Sequence, residues 1–473
     1  MIEVRNPRSG RIDHRFEPRT PEQIAGTAAT MRIAQHAWEE AGVDERALAM
    51  LAWAEALRAR RGDIVDALIA DTGRRIESEL EVDAVLGSIA RWCAQAPALL
   101  EDPEPRPASI PFVSVRQGLR PYPLVGVISP WNFPLLLSVI DAIPALLAGC
   151  AVLVKPSEIA PRFIDAVGAS IDGVDELRPV FGYIAGDGST GEALIDVADC
   201  VCFTGSVATG RRVAAHAARL FIPAFLELGG KDPAIVLASA DLDRASSAIL
   251  WGATANAGQS CLSIERVYVE QPVFEPFVEQ LVAKAQQVRL AAPVIDAGEL
   301  GPIIAERQIA IIAEHLDDAL AKGAKARTGG SLERIGGGTY LRPTVLTDVD
   351  HSMKVMVEET FGPIIPVMAV ADEEEAIALA NDTAYGLSAA VFAGDTDEAI
   401  AVGRRIEAGG ISINDAALTA LVYDGEKNSF RSSGLGGSRM GPVALRRFGR
   451  RQAFLIAAGD QPDPWWFPHL RAP

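Results

Sequence analysis

Val125-Gly126-Val127-Ile128, a helical stretch over 135–147 and Ala151-Val152-Leu153-Val154 follow one another, and their reading sets the architecture. Short runs rich in β-branched residues read as strands buried on both faces, and a helix between two of them returns the chain for parallel pairing. The alternation continues through an apolar run at 180–184, Cys200-Val201-Cys202-Phe203 and a helix over 210–220. A second series opens at Ala234-Ile235-Val236-Leu237 and runs to about residue 413. This spacing predicts an α/β protein with parallel sheets covered by helices, and sites at the carboxyl ends of the strands.

The flanks read differently. Residues 20–100 are rich in Ala, Glu and Arg with helical periodicity, as in Glu45-Arg46-Ala47-Leu48-Ala49-Met50-Leu51, and predict packed helices. Three prolines in Glu101-Asp102-Pro103-Glu104-Pro105-Arg106-Pro107 break that pattern before an extended pair over 112–122. Near the end, 444–451 reads as a short basic helix, and Ala453-Phe454-Leu455-Ile456-Ala457 as an edge strand pairing with another element or another subunit. The aromatic tail Pro462-Asp463-Pro464-Trp465-Trp466-Phe467-Pro468 is expected to pack over a subunit interface.

A chain of 473 residues implies roughly three structural units. Its formal charge of −18 argues against nucleic acid or an anionic membrane as partner, since both attract Lys/Arg fields. Five cysteines without metal-ligand spacing point to a reducing compartment and to no metal site. Cys200 and Cys202, in an apolar run, read as core strand. The start, Met1-Ile2-Glu3-Val4-Arg5-Asn6-Pro7, has no apolar signal region, and no apolar stretch is long enough to span a bilayer, so a cytoplasmic location is expected.

Cys261, in Asn256-Ala257-Gly258-Gln259-Ser260-Cys261, and Glu227, in Glu227-Leu228-Gly229-Gly230-Lys231, sit among small residues that leave room for a substrate. Such a pair can make a covalent acyl intermediate and hydrolyse it. Taken singly, Cys261 equally suits a buried structural thiol, and Glu227 the plain end of a helix or strand. Asn132, in Ser129-Pro130-Trp131-Asn132-Phe133-Pro134, either donates to an oxyanion or caps the next helix. Lys155 and Glu158, in Lys155-Pro156-Ser157-Glu158, either bond the hydroxyls of an adenosine ribose or form a solvated ion pair in a turn. Gly205, Ser206 and Gly210, in Phe203-Thr204-Gly205-Ser206-Val207-Ala208-Thr209-Gly210, make either a pyrophosphate site at a helix start or only a tight turn. If Glu358-Glu359-Thr360-Phe361-Gly362-Pro363 is a strand, Glu359 and Phe361 share a face suited to a ribose and a nicotinamide; the alternative is a charged turn before a core aromatic.

In this order the motifs resemble the aldehyde dehydrogenase superfamily of the NAD(P)-dependent, hydrolytic, non-acylating type, from Arg5-Asn6-Pro7 to the strand near Ile456. The resemblance implies a Rossmann-like cofactor domain (1–107 and 125–226), an α/β catalytic domain (227–430) and a small β oligomerisation element in bridging segments (108–124 and 431–473). It makes Cys261 the nucleophile and Glu227 the general base, with Asn132 and the Cys261 backbone amide as the oxyanion hole. Lys155 and Glu158 would hold the adenine ribose. Gly205, Ser206 and Gly210 would lie by the pyrophosphate, Leu228 would add a cofactor contact, and Glu359 would take the nicotinamide ribose with Phe361 beside it. Asn381-Asp382-Thr383-Ala384-Tyr385-Gly386-Leu387 is a further family-like segment with a structural role. The implied reaction oxidises a small-molecule aldehyde to a carboxylic acid through a thiohemiacetal and a thioester, in a homodimer or homotetramer.

One stretch departs from the family. Where Phe-Gly-Gly-x-Lys-x-Ser-Gly is usual, the chain has Ser429-Phe430-Arg431-Ser432-Ser433-Gly434, shorter and without the double glycine and lysine, so the substrate mouth is expected to differ. Glu227 disfavours a relative that passes the acyl group to coenzyme A, and intact Cys261, Glu227 and Asn132 disfavour a catalytically silent one. Glu158 favours NAD over NADP, because a carboxylate repels a 2′-phosphate. Leu262 and the apolar stretch over 416–422 favour a hydrophobic aliphatic or aromatic aldehyde. An anionic semialdehyde is the alternative, although Arg266, the arginine nearest Cys261 in sequence, is expected on the following strand.

Overall fold

The computed structural model describes residues 1–457, 465–467 and 469. The first β/α series forms five parallel strands, in chain order Leu124–Ile128, Ala151–Lys155, Phe181–Tyr183, Cys200–Thr204 and Ala224–Glu227. In space they run third, second, first, fourth, fifth, with Gly434–Leu435 added antiparallel at the edge beside Ala224–Glu227. This is the Rossmann order. The strand order reverses between Leu124–Ile128 and Cys200–Thr204, which opens a crevice at their carboxyl ends. Every residue of Cys200–Thr204 is buried, so Cys200 and Cys202 are core thiols.

Four helices, Pro21–Glu40, Gly42–Ala59, Arg61–Thr72 and Ile76–Leu100, share one core with this sheet. The first starts on a reciprocal cap between Thr20 and Gln23, which satisfies two end donors. The expected helix over 135–147 is two helices, Pro134–Val139 and Ala142–Leu147. Pro144 has no N–H to continue the ladder, and the break leaves Asp141 free to bond elsewhere.

The second series forms a seven-stranded sheet in the order Lys325–Ala326, Thr344–Thr347, Ile364–Val370, Ile264–Glu270, Asp232–Val236, Ser388–Phe392 and Gly410–Ile413. All pairs are parallel except the first. Two hydrophobic cores flank it, one on Ile235, Tyr268 and Val391, the other on Val236, Val267 and Phe392. The alternation along each strand sends neighbours to opposite cores.

The expected extended pair over 112–122 is one strand, Val113–Pro121, lying between Arg106–Pro107 and Gly449–Ala457 in a three-stranded antiparallel sheet. Its longer partner comes from the far end of the chain, which local pattern cannot reveal. The basic helix expected over 444–451 is limited to Val443–Arg446, because Gly449, Arg450 and Arg451 already pair with residues 119–121. The segment from 431 is not wholly bridging: Gly434–Leu435 joins the first sheet, and Ala444, Leu445 and Phe448 enter its core. Of the aromatic tail, Trp465 stacks on Phe112 of the same chain at 5.6 Å; Pro462, Asp463, Pro464 and Pro468 lie outside the described residues. Among the described residues no helix is long and apolar enough to cross a membrane.

Candidate active site

The loop before Cys261 follows the helix Leu242–Thr254 and passes three successive residues through left-handed backbone, Asn256, Ala257 and Gly258, with φ of 54°, 52° and 70°. Two of these are not glycine, and each such residue costs about 1 kcal/mol or more, so the surroundings must hold the path. Three amide side chains do so. Asn256 Nδ2 donates to Asn132 O at 3.0 Å and to Gln259 O at 2.9 Å. Gln259 Nε2 donates to Asn256 O at 3.0 Å, while Gln259 Oε1 accepts Ile304 N at 2.8 Å. Asn132 Nδ2 donates to Gln259 O at 3.0 Å. Asn132 therefore braces the cysteine loop with one N–H and keeps a second, and it does not cap the helix Pro134–Val139. Gly258 also needs its lack of a Cβ, which would come within 2.4 Å of the Gly362 carbonyl.

Glu227 ends its strand, and the residues after it run directly against the Cys261 loop: a Cβ on Gly230 would lie 2.6 Å from Cys261 O. Ser429 Oγ donates to Glu227 Oε2 at 2.7 Å. Cys261 is half-buried, while Cys93, Cys150, Cys200 and Cys202 are buried. Burial, with Asp232 and Glu359 nearby, pushes the Cys261 thiol up to about 12, against the pull of Lys427 and Arg439. Alkylation of Cys261 by iodoacetamide in the free enzyme is therefore expected to rise about tenfold per pH unit between pH 7 and 9. Peptide mass spectrometry reads this at one site; a plateau by pH 8 would mean that the two cations outweigh burial.

Glu359 and Phe361 do not share a strand face. Their segment is a loop ahead of Ile364–Val370, and Phe361 takes a left-handed φ of 54°. Left-handed backbone replaces strand alternation, and the Phe361 ring meets Trp131 edge-on at 5.6 Å. Glu359 Oε1 accepts Gly230 N at 3.0 Å, and a Cβ on Gly229 would collide with its carboxylate at 2.5 Å. Burial beside Glu265 raises the Glu359 carboxyl to about 8. Glu265 holds this loop by accepting Thr360 N and Phe361 N, each at 2.7 Å, and is neutralised by Lys231 at 2.6 Å.

At the crevice, Lys155 ends its strand and pairs with Glu158 at 3.1 Å; Lys155 is buried and the Glu158 side chain is 39% exposed. Ser206 caps the helix Val207–Arg219 through Thr209 N at 3.4 Å, leaving other N-terminal donors for an anion. Gly205 leaves no room for a Cβ beside the Phe203 ring, at 2.6 Å, and Gly210 none beneath Leu228, at 2.4 Å. Gly210 thus serves helix packing, and Leu228 is buried in a small core. An exposed carboxylate, a buried lysine and a helix start on a glycine turn fit the ribose and pyrophosphate of a dinucleotide.

Sequence reading missed several charged groups. Asp141 accepts Arg439 Nη2 at 2.7 Å and also bonds Arg447, and Arg439 reaches Thr204 Oγ1 at 2.7 Å. A lone acid inside the apolar run 135–147 was the available signal. Lys427, lowered by burial but supported by the Glu227 and Asp232 carboxylates and the Cys261 thiol, had no local signal at all. Arg266 does lie on the strand after Cys261, fully buried, and spends its donors on the carbonyls of Lys231, Leu379 and Ala380 and on Tyr268 Oη.

Residues 1–453 match the Aldehyde dehydrogenase family. The structure is similar to "Putative Aldehyde Dehydrogenase PutA" from Anabaena variabilis, with a TM-score of 0.97 and 58% identity over 98% of this chain and 99% of that one. In sequence it is 39% identical to "4,4'-diapolycopene aldehyde oxidase" of Methylomonas sp, over 98% of this chain and 87% of the relative. It is 38% identical to a "Putative succinate-semialdehyde dehydrogenase" of Mycolicibacterium smegmatis, whose name carries NADP(+), over 94% and 86%. The catalysis is NAD(P)-linked oxidation of an aldehyde through a cysteine. Family match, Rossmann order and a half-buried cysteine after a loop braced by three amides agree, and the chain belongs to the aldehyde dehydrogenase family.

Proposed function

We propose that this enzyme oxidises a hydrophobic aliphatic or aromatic aldehyde with NAD, using Cys261 as nucleophile, Glu227 as general base and Asn132 as oxyanion donor. One observation carries the assignment: the backbone after Glu227 runs so close to the Cys261 carbonyl that Gly230 has no space for a Cβ. Base and nucleophile thus sit on backbone segments in close contact. The Cys261 thiolate adds to the aldehyde carbon as the C=O π pair moves to oxygen, and the spare Asn132 N–H with the Cys261 N–H stabilises the oxyanion. Bound in the crevice, NAD(P) supplies the hydride acceptor. The acyl group remains on Cys261 as a thioester until Glu227 takes a proton from the attacking water. Lys155 and Glu158 would hold the adenine ribose, Gly205 and Ser206 the pyrophosphate, and Glu359 the second ribose with Phe361 alongside. Gly210 and Leu228 support that pocket from beneath.

The hydrophobic reading is supported by Leu418, Leu421, Val422 and Phe430, all exposed in the 416–430 stretch, and by likeness to a diapolycopene aldehyde oxidase. Lys427 and Arg439 beside Cys261, with the semialdehyde relative, favour an anionic substrate as the second reading. A panel of nonanal, benzaldehyde and succinate semialdehyde, each with NAD+ and NADP+, separates them. Nonanal or benzaldehyde is expected to exceed succinate semialdehyde in kcat/KM by at least about tenfold. NAD+ is expected to outperform NADP+ because Glu158 opposes a 2′-phosphate. Preference for succinate semialdehyde, or for NADP+, would overturn the corresponding half. Association as a homodimer or homotetramer is supported by Phe454, Leu455 and Ile456, exposed on the edge strand Gly449–Ala457.

A further inference from the structure

The segment over 429–434, where the chain departs from the family pattern, is fastened to the strand end that carries Glu227. Ser429 Oγ donates to Glu227 Oε2 at 2.7 Å. Gly434 pairs with Glu227 across the antiparallel edge, and Leu228 N donates to Ser433 O at 2.8 Å. The other side of the segment rests on the family-like stretch over 381–387. There Phe430 N donates to Gly386 O at 2.9 Å, Ser432 N to Ala384 O at 3.1 Å, and Gly386 N to Ser433 Oγ at 2.8 Å. The Ser429 hydroxyl is therefore delivered from a backbone held on two sides.

Gly434 completes the seat. A Cβ there would come 2.6 Å from Ser429 Cβ and 3.0 Å from its Oγ. Its φ of 171° is extended, so glycine is demanded not by backbone conformation but by space, shared between the Ser429 side chain and the Leu226 carbonyl at 2.5 Å. A glutamate side chain without a partner samples several rotamers, and fixing one of its oxygens selects among them. With Oε2 engaged by Ser429, Oε1 is the oxygen left to take a proton.

We propose that Ser429 is a positioning residue for hydrolysis of the acyl-enzyme, orienting Glu227 toward the attacking water. The inference rests on the reading of Glu227 as base. In that step the water oxygen bonds to the thioester carbon and its proton passes to Glu227. The C–S bond then breaks, releasing the carboxylic acid and returning the Cys261 thiolate. Ser429 exchanges no atom with the substrate; it sets the direction of the carboxylate.

The test compares Ser429→Ala, Ser429→Thr and Glu227→Gln in the full-length enzyme with nonanal and saturating NAD+. Loss of a hydrogen bond to a charged group predicts that Ser429→Ala lowers kcat about tenfold. KM should fall in step, holding kcat/KM within about twofold, because acylation precedes the affected step. Rapid quenching and intact-mass measurement should reveal acylated Cys261, with an NADH burst near one per site. Ser429→Thr, which keeps the hydroxyl, should recover most of kcat. Unchanged kcat without acyl-enzyme in Ser429→Ala overturns the proposal, as does a kcat/KM that falls with kcat. Full kcat in Glu227→Gln removes the base reading and the proposal with it. Trapped acyl-enzyme in Glu227→Gln beside normal turnover in Ser429→Ala overturns the Ser429 role alone.

Discussion

Replacing Cys261 by alanine is expected to lower NADH formation at least about 10³-fold, since no other group can hold the acyl intermediate. The four remaining cysteines are buried, Cys200 and Cys202 inside a strand whose every residue is inaccessible, so none can substitute. The fold should survive. Cys261 is only half-buried, and the left-handed loop beside it is held by Asn132, Asn256 and Gln259 rather than by the thiol. Thermal unfolding of Cys261→Ala should therefore stay within about 2 °C of wild type, a change worth at most about 2 kcal/mol at this chain length. Activity and stability measured together make the prediction sharp. A variant that unfolds early would assign the thiol a structural role, and one that keeps a tenth of the wild-type rate would remove it as nucleophile.

The largest stability effect is expected at Asp141. This carboxylate is 1% exposed and is shared by Arg439 and Arg447, which are themselves nearly buried. Nε of both arginines already lacks a partner. Removing the acid leaves two like charges facing each other in a poorly solvated space, and breaking a buried pair of this kind typically costs about 3–5 kcal/mol. Asp141→Ala should lower the urea midpoint accordingly. Asp141→Asn keeps an acceptor oxygen and should fall between the two. Because Arg439 also bonds Thr204, at the end of the strand that leads into Gly205, the NAD+ KM should rise in both variants. A loss below about 1 kcal/mol in Asp141→Ala would mean that water reaches the arginines and compensates them.

These two sites mark the boundary of what local pattern can convey. Cys261 stood out as a candidate because a thiol among small neighbours is a residue-level signature. Asp141 appeared only as an acid in an apolar helix, and its partners lie about three hundred positions later in the chain. Glu359 and Phe361 were legible as residues but not as geometry. Alternation puts two such residues on one strand face, whereas the left-handed turn at Phe361 and the Glu265 carboxylate that accepts its N–H send them apart. Gly210 and Leu228 show the same limit, since only packing reveals that the glycine makes room for the leucine.

By itself the sequence determined the α/β class, the parallel strands of both sheets and the core thiols at Cys200 and Cys202, and it supplied the candidates for the reacting groups. Each depends on interactions among residues near in sequence: side-chain periodicity, proline and glycine constraints, and short motifs at strand ends. The tertiary structure alone decided the three-stranded sheet joining Val113–Pro121 to Gly449–Ala457, the burial of charge around Asp141 and Glu265, and the bond from Ser429 to Glu227. Those contacts join positions far apart in the chain, and their energies come from desolvation and close fit, which exist only once the two surfaces have met.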